Sequence, residues 1–471
     1  MTDMDTPDQK NTSVDVDNMD INNLLPPDIV LHPPPSEDPE CPHGPEADNY
    51  DDNDNDKDNE NGQDGNTSSH SQSSSVSISE LLQRDNWQSR SKYLSTSPDT
   101  GMSSSSSDSS GSPASQQPQE AEDRYNGQLD RYGFIAINAD NAKNKSDEEE
   151  RKKRLDEREA NRSIKWLEML KVLTESPVPE WPDKHEKFEE RLLKGVPDCI
   201  RCQLWPILAK HLLSSHADIA GLMNTPNTQY RQLYLKISGY ERQIDLDIER
   251  TLRDHVMFKI RFSSAQVSLF KVLVAYSNAD PEVGYCQGMS TIAAFLLLYL
   301  PEEDAFAALL GVMAETRQLF IAGFPKLFET FYVQERLMRK YLPRLHAHLL
   351  HLSVAPSVYA TKWYLTLFLG FPVPLACRVW DLFLFYGFDV LPCVTVAILR
   401  LCERRLMACE YEQCMHTLSR LGQEDESSGW EGLHAGQVVR TAVRLLQDCR
   451  ASEKHRGFCH YREQYHLHSQ S

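Results

Sequence analysis

This 471-residue chain lacks most of the usual signatures of a membrane protein, a metalloenzyme or a nucleotide-binding enzyme. No stretch reaches the roughly 18 uninterrupted apolar residues of a membrane-spanning helix. The greasiest region, Tyr359–Leu401, is broken by Lys362, Pro372, Pro374, Arg378, Asp381, Asp389 and Pro392, and reads as a buried helical core. The opening MTDMDTPDQKNTSVDVD is acidic and has no apolar centre, so a signal peptide is not expected. There is no GxxxxGKS/T phosphate loop, no HExxH and no GxSxG, so a nucleotide held by the chain's own phosphate loop is not expected. Basic charge is also short: 49 Lys and Arg face 69 Asp and Glu, a net −20. That balance disfavours a nucleic-acid binder, which needs clustered cations for phosphate, and a polybasic membrane anchor.

A disulfide rhythm is missing as well. Eleven cysteines are scattered. Cys199 and Cys202 form a CxxC, but no second pair or His pair stands at zinc-finger spacing. His346, His348 and His351 lie close together without an acidic or thiol ligand beside them in sequence. No metal is expected, and reduced thiols in a cytoplasmic protein are the simpler account.

What the chain does have is a division of charge. Residues 1–125 hold 26 acids and 6 bases, while the remaining 346 residues hold 43 of each. The leader contains an Asp/Asn run, DNYDDNDNDKDNENGQDGN, and a serine run, MSSSSSDSSGS. Its apolar residues are too sparse to offset the entropy of ordering, so 1–125 is expected to be a disordered acidic leader. Ile78–Trp87, ISELLQRDNW, reads as one short helix that docks on something or as an isolated apolar blip in a tail. Residues 126–187 read as a linker and charged helix leading into the domain. Within them, Asp147–Leu173 is a long helix whose apolar face is expected at Ile164, Leu167, Leu170 and Leu173. Residues 188–450 give helix after helix, with little alternation and no Asn-Gly hairpin. The fold expected is all-α, one multi-helix domain, followed by a flexible tail at 451–471.

Three short segments carry candidate chemistry. In KGVPDCIRCQLW (Lys194–Trp205), a Gly-Pro turn precedes a helix with Arg201 and Trp205 at i and i+4, where the guanidinium can lie over the indole. Alone, this is scaffolding. In IDLDIERT (Ile244–Thr251), Asp247 and Arg250 share a helix face and can pair, while Ile244 and Ile248 anchor the other side. Alone, this is a surface ion pair. In GYCQGM (Gly284–Met289), two glycines flank Tyr285, Cys286 and Gln287 in a tight loop. Gln287 there can donate and accept at once. Cys286 has no evident histidine base and is a poor candidate nucleophile.

In that order and spacing, the three segments resemble the TBC-domain GTPase-activating proteins of Rab-type small GTPases. YATKWYLTLF (Tyr359–Phe368) and CRVWDLFLFYG (Cys377–Gly387) resemble the C-terminal half of that domain, and the text around YATKW looks most like the RN-tre-type branch. The likeness runs from Arg191 to about Leu406, with looser helical extension to about Arg450. One departure is Phe385–Gly387, where the family places an acid before the glycine.

The resemblance implies an all-α domain that completes the active site of a GTP-bound Rab. Arg250 is implied as the arginine finger and Gln287 as the residue that orients the attacking water. Asp247 would preorganise Arg250, Tyr285 would help place the glutamine loop, and Gly288 would allow close approach of the GTPase. Ile244, Arg201 and Trp205 would support the fold. The chain would bind no cofactor of its own, since Mg²⁺ and GTP belong to the partner. It would act in vesicle trafficking in the cytoplasm, peripheral to endomembranes and near a membrane only through the Rab. The alternative is a non-catalytic Rab-binding scaffold.

Overall fold

Proline and acid mark the helix starts. A computed structural model describes residues 88, 90–94, 129–135, 145–175, 185–216, 226–421, 434–452 and 457–469. The named helices are α1 (Lys145–Glu175), α2 (His185–Lys194), α3 (Asp198–Ser214), α4 (Pro226–Leu235), α5 (Glu241–Arg250), α6 (Ser264–Ala279), α7 (Met289–Leu297) and α8 (Glu302–Thr316). They continue as α9 (Pro325–Tyr341), α10 (Pro343–His351), α11 (Pro356–Leu365), α12 (Val373–Tyr386), α13 (Val390–Leu406), α14 (Tyr411–Arg420), α15 (Ala435–Ala451) and α16 (Phe458–Ser469). Pro325, Pro343 and Pro356 open their helices, where a missing N–H costs nothing. Glu302, Glu303 and Asp304 fill the first turn of α8, at the positive end of its dipole. Ser263 caps α6 by accepting from the Gln266 N–H.

Among the described residues the architecture is all-α, with only two isolated β-bridges, Leu129–Ile135 and Phe134–His255. No described helix is long and apolar enough to cross a membrane. α6 is buried on nearly every side and packs against α4, α5, α7 and α8. α3 lies along α8, and α13 lies along α15. One apolar core runs through the whole assembly, from Tyr93 to Tyr461.

Three expectations need correction. The buried face of α1 is Trp166, Met169 and Leu170, while Ile164 and Leu167 are exposed. Both stripes have helical spacing, but the indole carries the larger apolar area and also donates to the Gly195 carbonyl at 3.0 Å. The tail is not uniformly flexible, because α16 docks on α9. Phe458 and Tyr461 are buried, and Arg462 pairs with Glu329 and Asp389. Within the leader expected to be disordered, residues 90–94 instead form a helical turn with Arg90 and Tyr93 buried. Mean apolar density could not reveal that single anchor. Ile78–Trp87 lies outside the described residues.

Candidate functional site

α5 is ten residues long and buries three acids: Glu241, Asp245 and Asp247. A buried carboxylate needs partners to offset its lost hydration. Each of the three has its own hydrogen-bonded or ionic partner. Asp247 holds Arg250, the last residue of α5, with Nη2–Oδ1 at 2.5 Å. The Asp247 side chain is 1% exposed and that of Arg250 is 51% exposed. The expected surface ion pair is therefore half buried: a fixed carboxylate grips a cation that faces solvent. Ile244 and Ile248 are fully buried and anchor the opposite side, as their spacing predicts.

The glutamine loop meets α5 at the same carboxylate. The Tyr285 hydroxyl donates to Asp247 Oδ2 at 2.6 Å. Burial, then the Asp247 charge, holds the Tyr285 phenol well above its ordinary pKa, so it stays a donor. A second cross-link lies beside it. Thr251 Oγ1, next to Arg250, is 2.9 Å from Ser290 Oγ, three residues after Gln287. The same hydroxyl donates to the Asp247 carbonyl at 2.6 Å. Arg250 and Gln287 thus flank two cross-links, one from α5 to the loop before α7 and one from the residue after α5 to the start of α7. Gln287 is partly exposed.

The two glycines of the loop do different work. Gly284 (φ +59°) faces the Tyr240 ring, where an added Cβ would fall within 2.3 Å. Gly288 (φ +103°) precedes α7 in left-handed backbone, and nothing lies closer than the Leu365 carbonyl oxygen at 3.9 Å. Gly288 is required by its torsion, Gly284 by close packing as well. Between them, burial and then the Asp247 charge push the Cys286 thiol up to about 11. That is the opposite of an activated nucleophile.

The loop after Arg250 is fastened from the linker. Ile135 N–H donates to the Asp254 carbonyl at 2.8 Å, and Val256 N–H to the Gly133 carbonyl at 3.1 Å. The buried His255 ring packs edge-on against Phe134 and sits 2.8 Å from the Tyr132 carbonyl oxygen. Residues 130–135 therefore close over the loop that follows Arg250, a role their sequence did not announce.

Arg201 and Trp205 lie elsewhere, in the core. Arg201 binds Asp381 with Nε–Oδ1 and Nη2–Oδ2 both at 3.0 Å. The Trp205 indole N–H donates to Asp381 Oδ1 at 3.0 Å, and the guanidinium lies 5.9 Å from the Trp205 ring centroid. Asp381, fully buried, is the residue sequence reasoning passed over. Its signal was a lone acid in the apolar run CRVWDLFLFYG. At the departure before Gly387, the Tyr386 hydroxyl donates to Glu189 at 2.5 Å. The Phe388 N–H is capped by Glu315 at 2.7 Å, so an acid from α8 serves this turn. His348, from the histidine cluster, sits 3.1 Å from the Cys409 carbonyl oxygen.

Comparison with known proteins follows the same outline. Residues 198–407 match the family model described as Rab-GTPase-TBC domain. The human Ecotropic viral integration site 5 protein homolog is 35% identical over 242 residues, 50% of this chain and 29% of that protein. The Caenorhabditis elegans Rab GTPase-activating protein tbc-11 is 34% identical over 250 residues, 52% of this chain and 26% of that one. A TBC domain-containing protein of Schizosaccharomyces pombe is 33% identical over 273 residues, 56% of this chain and 63% of that protein. The matches thus span less than two thirds of each of these relatives. The crystal structure of the Chlamydomonas flagellar RabGAP TBC domain shares the fold, with a TM-score of 0.50 at 24% identity, covering 67% of this chain and 99% of that one.

Proposed function

We propose that this chain, whose residues 198–407 match the Rab-GTPase-TBC domain model, accelerates GTP hydrolysis by a GTP-bound Rab-type GTPase, supplying Arg250 and Gln287 in trans. The single observation that carries the reading is the fixed, outward-facing Arg250. Its partner Asp247 is buried and cross-linked to the loop that bears Gln287.

Hydrolysis builds negative charge on the phosphate oxygens and needs an in-line water. Arg250 places a delocalised cation with a rigid donor fork against that charge. Because Asp247 already restrains it, less side-chain freedom is lost when it inserts. Gln287 orients the attacking water, its amide oxygen accepting a hydrogen bond from that water while its N–H groups remain able to donate. Gly288 keeps the backbone in front of the glutamine free of a Cβ. The surface around Arg250 suits a protein partner. Leu246, one turn earlier on α5, and Met257 and Ile260 in the following loop are exposed apolar side chains. Mg²⁺ and GTP remain the partner's.

The test is single-turnover GTP hydrolysis across a panel of purified Rab proteins, with the full chain, Arg250→Ala and Gln287→Ala. At least one Rab should turn over much faster with the full chain, and both variants should lose most of that gain. A chain that binds GTP-loaded Rab without speeding phosphate release would be a scaffold, and the reading would fall.

A further inference from the structure

The finger helix is also held from outside the domain. Arg90 is buried, and its Nη1 pairs with Glu241 Oε1 at 2.6 Å. Its Nη2 donates to the Tyr234 carbonyl at 3.0 Å and also to the Leu235 carbonyl, and its Nη1 lies 3.3 Å from the Lys236 carbonyl oxygen. One guanidinium therefore caps the C-terminal end of α4 and pairs with the first residue of α5. Three residues later, the Tyr93 ring stacks on Phe270 of α6 at 4.2 Å and 7°. Its hydroxyl donates to Asp245 Oδ1 at 2.6 Å. Arg261 closes the set, donating to the Tyr93 hydroxyl at 2.8 Å and to Asp245. Tyr93 is fully buried.

These contacts give α5 three clamps in ten residues. Arg90 holds Glu241, Tyr93 with Arg261 holds Asp245, and Tyr285 with Arg250 holds Asp247. The first two depend on a segment about a hundred residues before the first of the three motifs, in a leader otherwise poor in apolar residues. A surface turn with no role would not bury an arginine and a tyrosine against two carboxylates.

We infer that the Arg90–Tyr93 turn is a strap that positions the finger helix, so that Arg90 and Tyr93 act through α5 on the reach of Arg250. They touch neither GTP nor the Rab and are positioning residues. The inference rests on the function proposed above for its effect on rate, but not for the strap itself. Losing the strap should free the first two turns of α5 while leaving Asp247 bonded to Tyr285. Arg250 would then sample more poses and spend less time in the productive one.

The experiment uses the full chain and its Arg90→Ala/Tyr93→Ala variant. Hydrogen exchange is read first, with no GTPase present. Amides of 241–250 should exchange at least about tenfold faster in the variant, with α13 unchanged. Equal protection of α5 in both proteins overturns the strap, whatever the activity. With a responsive Rab, the single-turnover rate at saturating protein should fall about tenfold, with the half-saturating concentration changing less than about twofold. A full rate in the variant overturns the link to Arg250. Inactivity of the unmutated chain would instead count against the proposed function and leave the exchange result to decide the strap. Tyr93→Phe keeps the stacking and loses the bond to Asp245, so it guards against misfolding. It should show a smaller change of the same kind, and none would contradict the clamp on Asp245.

Discussion

Tyr285 and Arg250 contact opposite oxygens of one buried carboxylate: the phenol binds Asp247 Oδ2 and the guanidinium Oδ1. Neither residue needs to touch the other for their positions to be correlated. The arrangement joins a helix end to a loop 35 residues downstream and sets both proposed reactive groups around one fixed point.

Removing the guanidinium isolates the chemistry from the fold. Arginine fingers contribute roughly 10³–10⁵ in rate, or about 4–7 kcal/mol at 1.36 kcal/mol per decade. The Arg250 side chain is half exposed, so its pairing with Asp247 adds at most about 1 kcal/mol to stability. Arg250→Ala should therefore abolish activation while leaving the urea midpoint nearly unchanged. Arg250→Lys keeps the charge but not the fork and should recover little of the rate. A large fall in the midpoint would show that Arg250 is structural.

Tyr285→Phe should do the reverse in part. It removes one oxygen and leaves Asp247, at 1% exposure, short of a donor. Such a loss costs about 1–3 kcal/mol. Chemical denaturation should show that drop, and activation should fall more modestly than in Arg250→Ala because Arg250 remains. Unchanged stability would mean that water or Gln243, 3.4 Å from Oδ1, replaces the phenol.

Local chemistry was legible in the sequence, and distant pairing was not. Proline and acid at helix starts, the Asp247–Arg250 spacing and the buried Ile244 and Ile248 all follow from rules that act within a turn or two. The all-α fold follows from them. Asp381 is 180 residues from Arg201 and Glu241 is 151 from Arg90, and no local pattern links a cation to an acid at such a distance. α1 failed for another reason. Ile164 and Trp166 both lie on plausible stripes, and only the shape of the docking surface chooses between them. Tyr93 and α16 were missed because each is a small anchor within polar text.

The buried Arg201–Asp381 pair predicts a severe stability defect with intact chemistry per folded molecule. Breaking such a pair from one side typically costs about 3–5 kcal/mol, because the remaining charge loses its partner; Arg201 keeps Asp198 and the Val196 carbonyl, so Asp381→Ala belongs at the lower end of that range. Total stabilities run at about 5–15 kcal/mol. Asp381→Ala also strands the Trp205 indole N–H. The variant should express poorly and melt well below the unmutated chain, while its rate normalised to folded protein stays close to normal. Full solubility and an unchanged melt would overturn this account of the Arg201–Trp205 motif.

Cys286 offers a test of the loop's burial that requires no GTPase. Its thiol is pushed from the ordinary 9.0 up to about 11, burial being the larger cause and Asp247 the smaller. At a given pH well below both values, that shift cuts the thiolate fraction about a hundredfold. Cys199, Cys202 and Cys459 are exposed. Iodoacetamide at pH 8 should label those three well before Cys286, as read by peptide mass spectrometry, and urea should abolish the difference. The sign for stability follows from the same shift. The folded-state value lies above the unfolded one, so the favourable contribution is present below about pH 9 and is lost as pH rises through about 11. Labelling of Cys286 as fast as Cys199 in the native protein would mean that the loop is open to solvent, and the fixed geometry assigned to Gln287 would fail with it.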